Sequence, residues 1–270
     1  IAVIGGGFAG LTAAAKLGMQ GYTVDVFEKN NTIGGRARHF SQDGFLFDMG
    51  PSWYWMPDVL EKFFQSCGHT SEDFYSLEKL DPGFQIIFDA DYAMQIPASF
   101  DALCDLFESI EKNSSKRLKQ FLAEAAYKYE IAMSHLVYNP CHSITEFCTL
   151  PILRDALKLQ LFSSFSKHVR AYFTHPHLLA LLEFPVLFLG AMPRDTPALY
   201  SLMNYAGLQQ GTFYPMGGFG SVVNAFEKIC TTFGVRMHIN HPIENMQLVG
   251  KKISALHTAN KSFPADAVIA

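Results

Sequence analysis

The chain has 270 residues, of which 49% are hydrophobic and 17% charged, and a formal net charge of −4 at pH 7. That hydrophobic fraction is enough for a large core, and the length favours about two domains. The acidic balance and the scattered basic residues exclude the basic stripe of a nucleic-acid-binding protein, so no nucleic acid is expected among its partners.

The first elements predict a strand, a tight turn and a helix. Residues 1–4 form an apolar run, the glycines Gly5, Gly7 and Gly10 follow it in the spacing G-x-G-x-x-G, and a helical pattern covers residues 11–20. Gly5 would allow the turn, Gly7 would let the backbone approach a pyrophosphate, and Gly10 would let the helix pack closely on the strand. The pattern predicts a dinucleotide whose diphosphate lies at the helix N-terminus; the alternative is a plain glycine-rich turn.

The second strand, over residues 23–27, ends at Glu28. A carboxylate at this place can accept hydrogen bonds from both ribose hydroxyls of an adenosine, and it would repel a 2′-phosphate. We expect Glu28→Arg to weaken dinucleotide binding and to leave folding nearly intact. Phe8 and Ala9 in the glycine turn and Lys29 after the acid are further candidates for contact with the cofactor.

A glycine doublet follows as Gly34-Gly35-Arg36-Ala37, and it turns the dinucleotide fingerprint into one typical of flavin binding. A hairpin is predicted over residues 37–47, because Asp43-Gly44 is a strong turn signal. The later predicted elements are a helix over 57–67, strands over 84–88 and 93–96, mainly helices over 99–205, a helix over 218–233, a strand over 235–239 and a hairpin turned at Gly250.

These motifs resemble those of the flavin amine oxidase and phytoene desaturase superfamily, at residues 5–10, 28, 33–37 and 47–52. Three later segments, residues 50–57, 195–200 and 213–218, resemble bacterial carotenoid desaturases of the phytoene desaturase type. The resemblance covers the whole chain and implies FAD as the cofactor. Members of the family continue past residue 270 with a second flavin-contacting glycine motif, so the chain is interpreted as a C-terminally truncated fragment.

The fold implied by the resemblance is α/β, with a discontinuous Rossmann-like FAD/NAD(P)-binding domain of the glutathione-reductase type and an inserted, mainly helical substrate domain. We expect FAD-binding segments at residues 1–75 and 213–270 and the substrate domain at residues 76–212. Arg36 would meet the diphosphate, a bidentate task that suits arginine, and Ile243 is the candidate for adenine contact, unless it lies in an ordinary edge strand. The full set of cofactor-binding candidates is Gly5, Gly7, Phe8, Ala9, Gly10, Glu28, Lys29, Gly34, Gly35, Arg36, Gly50, Pro51, Ser52 and Ile243.

The activity implied is FAD-dependent desaturation of phytoene or a related carotenoid precursor, with a hydride passing to flavin N5 while a proton leaves the neighbouring carbon. Such a reaction needs an apolar channel more than a catalytic triad. Trp53, Tyr54, Trp55 and Met216 are the channel candidates, with core packing as the alternative. Another FAD oxidoreductase, such as a later-step carotenoid enzyme or an amine oxidase, remains open, and the intact glycines argue against a non-enzymatic prenyl carrier.

The proton acceptor is not identified by the sequence. Asp48, beside the turn at Gly50, is one weak candidate, and it could equally be a structural carboxylate that receives backbone N–H bonds. Glu183, which stands among Leu and Phe residues, is a second candidate for a raised pKa; its alternative is a helix residue that faces solvent.

The apolar stretch over residues 178–192 contains Glu183 and Pro185, and it is shorter than the roughly 18 uninterrupted apolar residues of a membrane span. It therefore favours core packing or a surface that dips into lipid, and we expect a cytoplasmic protein that lies peripherally at the cytoplasmic membrane. No metal site is predicted, because neither His175 with His177 nor His238 with His241 has a third ligand. The cysteines, interpreted as reduced thiols without metal spacing, are Cys67, Cys104, Cys141, Cys148 and Cys230.

Overall fold

The structure, a computed structural model, describes residues 1–138, 142–143 and 159–270. The chain forms two compact units, which we call the discontinuous unit, Ile1–Glu78 with Phe213–Ala270, and the central unit, Lys79–Thr212. Cys141 and Cys148 lie outside the described residues. The assignment of the two units to FAD binding and substrate binding stays a prediction.

The discontinuous unit is built on a four-stranded parallel sheet. Its strands lie in the order Val268–Ile269, Ala2–Ile4, Asp25–Phe27 and Arg236–His238, and each pairs in parallel with its neighbour. This arrangement confirms the predicted α/β class with a Rossmann-like parallel sheet. Ala2–Ile4 is an inner strand, so the glycine turn that follows it leaves the carboxyl edge of the sheet, where α/β proteins bind nucleotides.

Three helices cover this sheet and form the core of the unit: Phe8–Met19, Pro57–Gln65 and Phe219–Thr232. Their apolar faces meet in one cluster, in which the rings of Phe63 and Phe226 stack with centroids 4.3 Å apart. Burial of each such large side chain contributes about 1.5–3 kcal/mol. The core thereby fixes the first and last helices of the unit against each other.

The remaining elements of the discontinuous unit are hairpins and short turns. The predicted hairpin at Asp43-Gly44 is confirmed, and both turn residues have positive φ angles of +52° and +84°. Its first strand begins at His39, later than predicted, because the residues before it form a short 3-10 helix. The bounds are 3-10 helices Gly35–Ala37 and Ser71–Asp73, and strands His39–Gln42, Phe45–Asp48, Phe213–Pro215, Asn245–Val249, Lys252–His257 and Ser262–Pro264. The strand Leu77–Lys79 ends at the first residue of the central unit.

In its described residues, 79–138, 142–143 and 159–212, the central unit combines the hairpin of Phe84–Ile87 and Ala93–Ile96 with helices. The helix Pro176–Glu183 begins after His175, whose Nδ1 atom caps it by accepting a hydrogen bond from the backbone N–H of His177. The helical bounds are α-helices Phe100–Ile110, Ser114–Ile131, Phe165–Arg170, Pro176–Glu183 and Leu202–Asn204, π-helices Ala132–Leu136 and Tyr205–Gln210, and 3-10 helices Phe184–Leu189 and Ala198–Ser201.

The predicted apolar stretch 178–192 is not one helix. The α-helix ends at Glu183 and continues as a 3-10 helix over Phe184–Leu189, since Pro185 lacks the backbone donor that an α-helix needs there. Across residues 1–138, 142–143 and 159–270, no helix has both the length and the apolar character required to span a bilayer.

A buried lysine lies inside the central unit. The Lys128 ammonium donates hydrogen bonds to the Gln160 side chain at 3.0 Å, the Ser201 hydroxyl at 3.1 Å and the Ala198 carbonyl at 3.3 Å. The His168 Nε2 atom lies 3.3 Å from the same ammonium nitrogen. Burial lowers the pKa of Lys128 to about 8, and burial together with the Lys128 charge lowers the pKa of His168 to about 4.

Candidate cofactor site

The glycine turn has the geometry that the sequence predicts. Gly5 has φ +107°, in the region that favours glycine, and its N–H donates to the Phe27 carbonyl at 2.8 Å. A Cβ atom on Gly10 would lie 2.0 Å from the Gly5 carbonyl oxygen, a distance too short for any side chain at this position. The third glycine therefore lets the helix Phe8–Met19 start directly against the strand.

The doublet folds back over this turn. The Gly34 N–H donates to the Gly6 carbonyl at 2.7 Å, and a Cβ atom on Gly35 would lie 3.0 Å from the Gly7 Cα atom. Gly34 and Gly35 have φ angles of +110° and +58°. The two glycine motifs thus form one unit, which we call the glycine cradle (Gly5–Gly10 with Gly34–Arg36).

Glu28 closes the cradle at the end of the second strand. Its side chain is only 5% exposed; Oε2 accepts from the Gly6 N–H at 2.8 Å, and Oε1 accepts from the Asn30 N–H at 2.9 Å and from the Asn30 amide. Burial alone would raise the pKa of Glu28, but the hydrogen bonds from Asn30 and Gly6 and the Arg38 charge hold it below its usual value. Glu28 is therefore an ionised acceptor near neutral pH.

Asn30 is a residue that the sequence reasoning missed. The only sequence pattern that marks Asn30 is a polar residue two positions after the acid, and this pattern is too common in turns to identify a function.

The two arginines after the doublet differ in their surroundings. The Arg38 Nε atom donates to the Gly35 carbonyl at 3.0 Å, so this side chain supports the turn. Arg36 is exposed, and no described residue pairs with its guanidinium. A Cβ atom on Gly50 would lie 1.9 Å from the Arg36 carbonyl oxygen, which brings the turn at Gly50 against the doublet.

The other cofactor candidates lie around this core of the site. Lys29, Ala9, Pro51 and Ser52 are exposed, and Phe8 is half-buried. Ile243 is half-buried and packs on the small apolar cluster that contains Phe27 and Leu256. Its contact with adenine stays a prediction.

The two proton-acceptor candidates are both engaged in other interactions. The Asp48 carboxylate accepts hydrogen bonds from the backbone N–H groups of Phe219, at 2.9 Å, and Gly220, at 3.2 Å. In the central unit, Glu183 forms an ion pair with Arg170. Asp48 therefore occupies the structural position that the sequence left open, and Glu183 is a paired carboxylate.

The side chains of the aromatic segment Trp53-Tyr54-Trp55 lie on two opposite faces of its backbone. Tyr54 is 2% exposed, packs on Phe219, and its hydroxyl lies 2.8 Å from the Tyr75 hydroxyl. Tyr54 therefore packs in the core, the alternative that the sequence left open, because successive side chains of an extended backbone point to opposite faces. Its contact with substrate stays a prediction. Trp53 and Trp55 are half-buried with ring centroids 5.8 Å apart.

Met216 is 52% exposed. Its predicted contact with substrate, like that of Trp53 and Trp55, stays a prediction. The described ranges contain no group of three or more His, Cys, Asp or Glu side chains arranged to hold a metal ion.

A family model described as flavin containing amine oxidoreductase matches residues 8–270. The chain belongs to this family. The resemblance read from the glycine motifs is thereby confirmed, and a flavin is the cofactor that the glycine cradle fits.

The curated relatives that the chain matches within this family include two desaturases. The chain is 36% identical to a carotenoid 3,4-desaturase of Haloarcula japonica, over 91% of this chain and 50% of the relative. It is 33% identical to a 4,4′-diapophytoene desaturase (4,4′-diaponeurosporene-forming) of Staphylococcus aureus strain Newman, over 91% of this chain and 49% of the relative. The chain spans about half the length of the curated relatives it matches.

Solved structures agree on the fold. The structure of putrescine oxidase bound to putrescine superposes with a TM-score of 0.63 at 16% identity, covering 99% of this chain and 56% of the oxidase. At this identity the likeness concerns the fold alone.

Proposed function

We propose that the protein is an FAD-dependent desaturase of a carotenoid or a related polyisoprenoid precursor. The observation that carries the cofactor part is the glycine cradle closed by an ionised, buried Glu28. The substrate part is supported by the names of its relatives, a carotenoid 3,4-desaturase and a diapophytoene desaturase.

The residues of the cradle fit FAD in three ways. Gly7 leaves its backbone open at the N-terminus of the helix Phe8–Met19, where a diphosphate is favoured. Oε2 of Glu28 accepts only the Gly6 N–H and so keeps a second lone pair for a ribose hydroxyl, whereas Oε1 already accepts two hydrogen bonds from Asn30. Arg36, which is exposed and directly follows Gly35, supplies a positive charge for the diphosphate.

The chemistry of a bound flavin is to accept a hydride from a saturated carbon while the adjacent carbon loses a proton, which leaves a new double bond. The task of this chain is then to hold the cofactor and to present an apolar substrate without water. Asp48 and Glu183 are not assigned as bases, because each is held by other partners.

Peripheral membrane contact is part of the proposal. The central unit exposes Leu187, Phe188, Leu189 and Met192 together at the end of the 3-10 helix Phe184–Leu189. Neighbouring exposed apolar side chains of this kind mark protein or membrane contacts. A membrane-facing surface suits a hydrocarbon substrate that resides in lipid.

Pigment analysis tests the activity. The full-length protein is produced in cells that accumulate phytoene, and in parallel cells that accumulate diapophytoene, and the extracted carotenoids are separated by chromatography. Products with longer conjugation and absorption at longer wavelength are expected with one precursor. Unchanged precursors in both strains, together with protein that binds FAD, would exclude these two precursors as substrates and leave a later-step carotenoid enzyme or another FAD oxidoreductase.

Vesicle flotation tests the membrane surface. Leu187→Ser is expected to lower the fraction of protein bound to phosphatidylglycerol and phosphatidylethanolamine vesicles. Leu248→Ser is the matched control, because both leucines are 61% exposed and Leu248 lies on an edge strand of the discontinuous unit. Equal binding by both variants and the unmodified protein would exclude this contact.

A further inference from the structure

The helix Phe219–Thr232 begins without a cap of its own. Its N-cap residue, Gly218, has no side chain to offer, and its φ of +78° favours glycine. The Asp48 carboxylate, from a strand far away in sequence, supplies the missing acceptor: Oδ2 binds the Phe219 N–H and Oδ1 the Gly220 N–H. The hairpin thus performs the task that a local Ser, Thr or Asp performs in most helices.

Asp48 is also connected, through the nearby turn at Gly50, to the glycine doublet Gly34-Gly35 and Arg36. Gly50 comes shortly after it and packs against Arg36, where a Cβ atom would lie 1.9 Å from the carbonyl oxygen. The capped helix touches the doublet independently, since a Cβ atom on Gly34 would lie 3.0 Å from the Val223 Cγ2 atom. Three segments therefore meet around the cradle, and the Asp48 carboxylate fixes the hairpin to the helix.

We propose that Asp48 is a positioning residue of the flavin site and not its proton acceptor. It holds Arg36 and the turn at Gly50 in register with the helix Phe219–Thr232. Both oxygens of the carboxylate face backbone donors at a helix N-terminus, where a negative charge is stabilised. The inference rests on the proposed function only in taking the glycine cradle as the FAD site.

The test measures FAD binding to the full-length apoprotein by flavin fluorescence, with no substrate present. Asp48→Ala removes both acceptors, and we expect the FAD dissociation constant to rise about two- to thirtyfold, the range of a lost helix cap. Asp48→Asn retains one amide oxygen, so its constant should fall between those of Asp48→Ala and the unmodified protein. Asp43→Asn, the same change at the exposed turn of the same hairpin, should bind FAD normally.

A spectroscopic readout separates positioning from general stability. With FAD at saturation, the visible circular dichroism of the flavin should differ between Asp48→Asn and the unmodified protein, because the cradle around it is displaced. Gly218→Ala supplies a second variant: its Cβ atom would lie 2.5 Å from Asp48 Oδ2 and must push the intact carboxylate off the cap. It should weaken FAD binding in the same way.

Two results would overturn the proposal. One is an unchanged FAD dissociation constant in both Asp48→Ala and Gly218→Ala. The other is an Asp48→Asn protein with unchanged FAD binding and unchanged flavin spectrum that no longer reduces its flavin with substrate, which would make Asp48 the proton acceptor. Because FAD binding is measured without substrate, failure of the desaturase assignment in the pigment assay leaves the result interpretable.

Discussion

Gly7→Ala separates the ability to bind a diphosphate from the ability to fold. Gly7 has φ −83° and ψ 177°, an extended backbone that alanine adopts without strain. A Cβ atom there would lie 3.7 Å from the Gly35 Cα atom, an ordinary contact distance. A glycine replaced by alanine at such a position stabilises a protein by about 0.4–1 kcal/mol, through the unfolded chain. The melting temperature of the apoprotein should therefore stay constant or rise by about 1–4 °C.

In the proposed FAD site, the same methyl group would lie where the diphosphate approaches the backbone. Loss of one charge-assisted hydrogen bond costs about 1.5–3 kcal/mol, which corresponds to an FAD dissociation constant raised about 10- to 150-fold. The assay is differential scanning fluorimetry of the apoprotein together with FAD titration by fluorescence quenching.

Gly10→Ala is the contrasting variant for this prediction. Its Cβ atom would meet the Gly5 carbonyl oxygen at 2.0 Å, and backbone cannot move aside as a flexible side chain can. We expect a loss of at least about 3 kcal/mol and a melting temperature lower by roughly 6 °C or more. Equal destabilisation of the two variants, or an unchanged FAD constant in Gly7→Ala, would refute the division of roles between the two glycines.

Three further predictions concern buried ionisable groups. Glu28→Gln should lower the free energy of unfolding by about 1–3 kcal/mol near pH 7, because one acceptor facing Gly6 or Asn30 is lost. The folded pKa of Glu28 lies below 4.5. Urea titrations should therefore show the stability difference from the unmodified protein vanish as the pH falls through that folded pKa. Lys128 has a folded pKa of about 8 against 10.5, so the unfolded chain holds the extra proton between these values; stability should rise with pH from 8 to 10, and Lys128→Met should lack this rise. His168, with a pKa of about 4 against 6.5, should make stability fall as the pH drops through that interval, and an equal fall in His168→Leu would contradict the assignment.

The glycine turn could be predicted from the sequence because its constraints are local. Positive φ angles, the close start of a helix and a strand that ends in an acid all lie within a few dozen residues, and each needs a particular residue type. The structure reproduces them at Gly5, Gly10 and Glu28. The hairpin at Asp43-Gly44 was predictable for the same reason.

Side chains whose neighbours come from distant segments could not be assigned in this way. Tyr54 resembles its tryptophan neighbours in the sequence, yet it is buried because its backbone forms an isolated β-bridge with Phe213. Lys128 stands in a helix with other charged residues, and only the packing of three other segments around it excludes water. Asp48 likewise has no local pattern that identifies Phe219 and Gly220 as its donors.

Glu28 lies where the sequence predicts, but the substitution first expected to test it, Glu28→Arg, is unsuitable. Glu28 lies at the end of the second strand and is ionised, as the sequence predicts. The expectation that Glu28→Arg leaves folding intact, however, conflicts with a side chain that is 5% exposed and hydrogen-bonded to Gly6 and Asn30. An arginine there would face the same backbone donors with an uncompensated buried charge, a change that destabilises strongly. Loss of FAD from such a variant would report unfolding of the cradle. Glu28→Gln retains the volume and one acceptor, so it tests ribose recognition while the cradle persists.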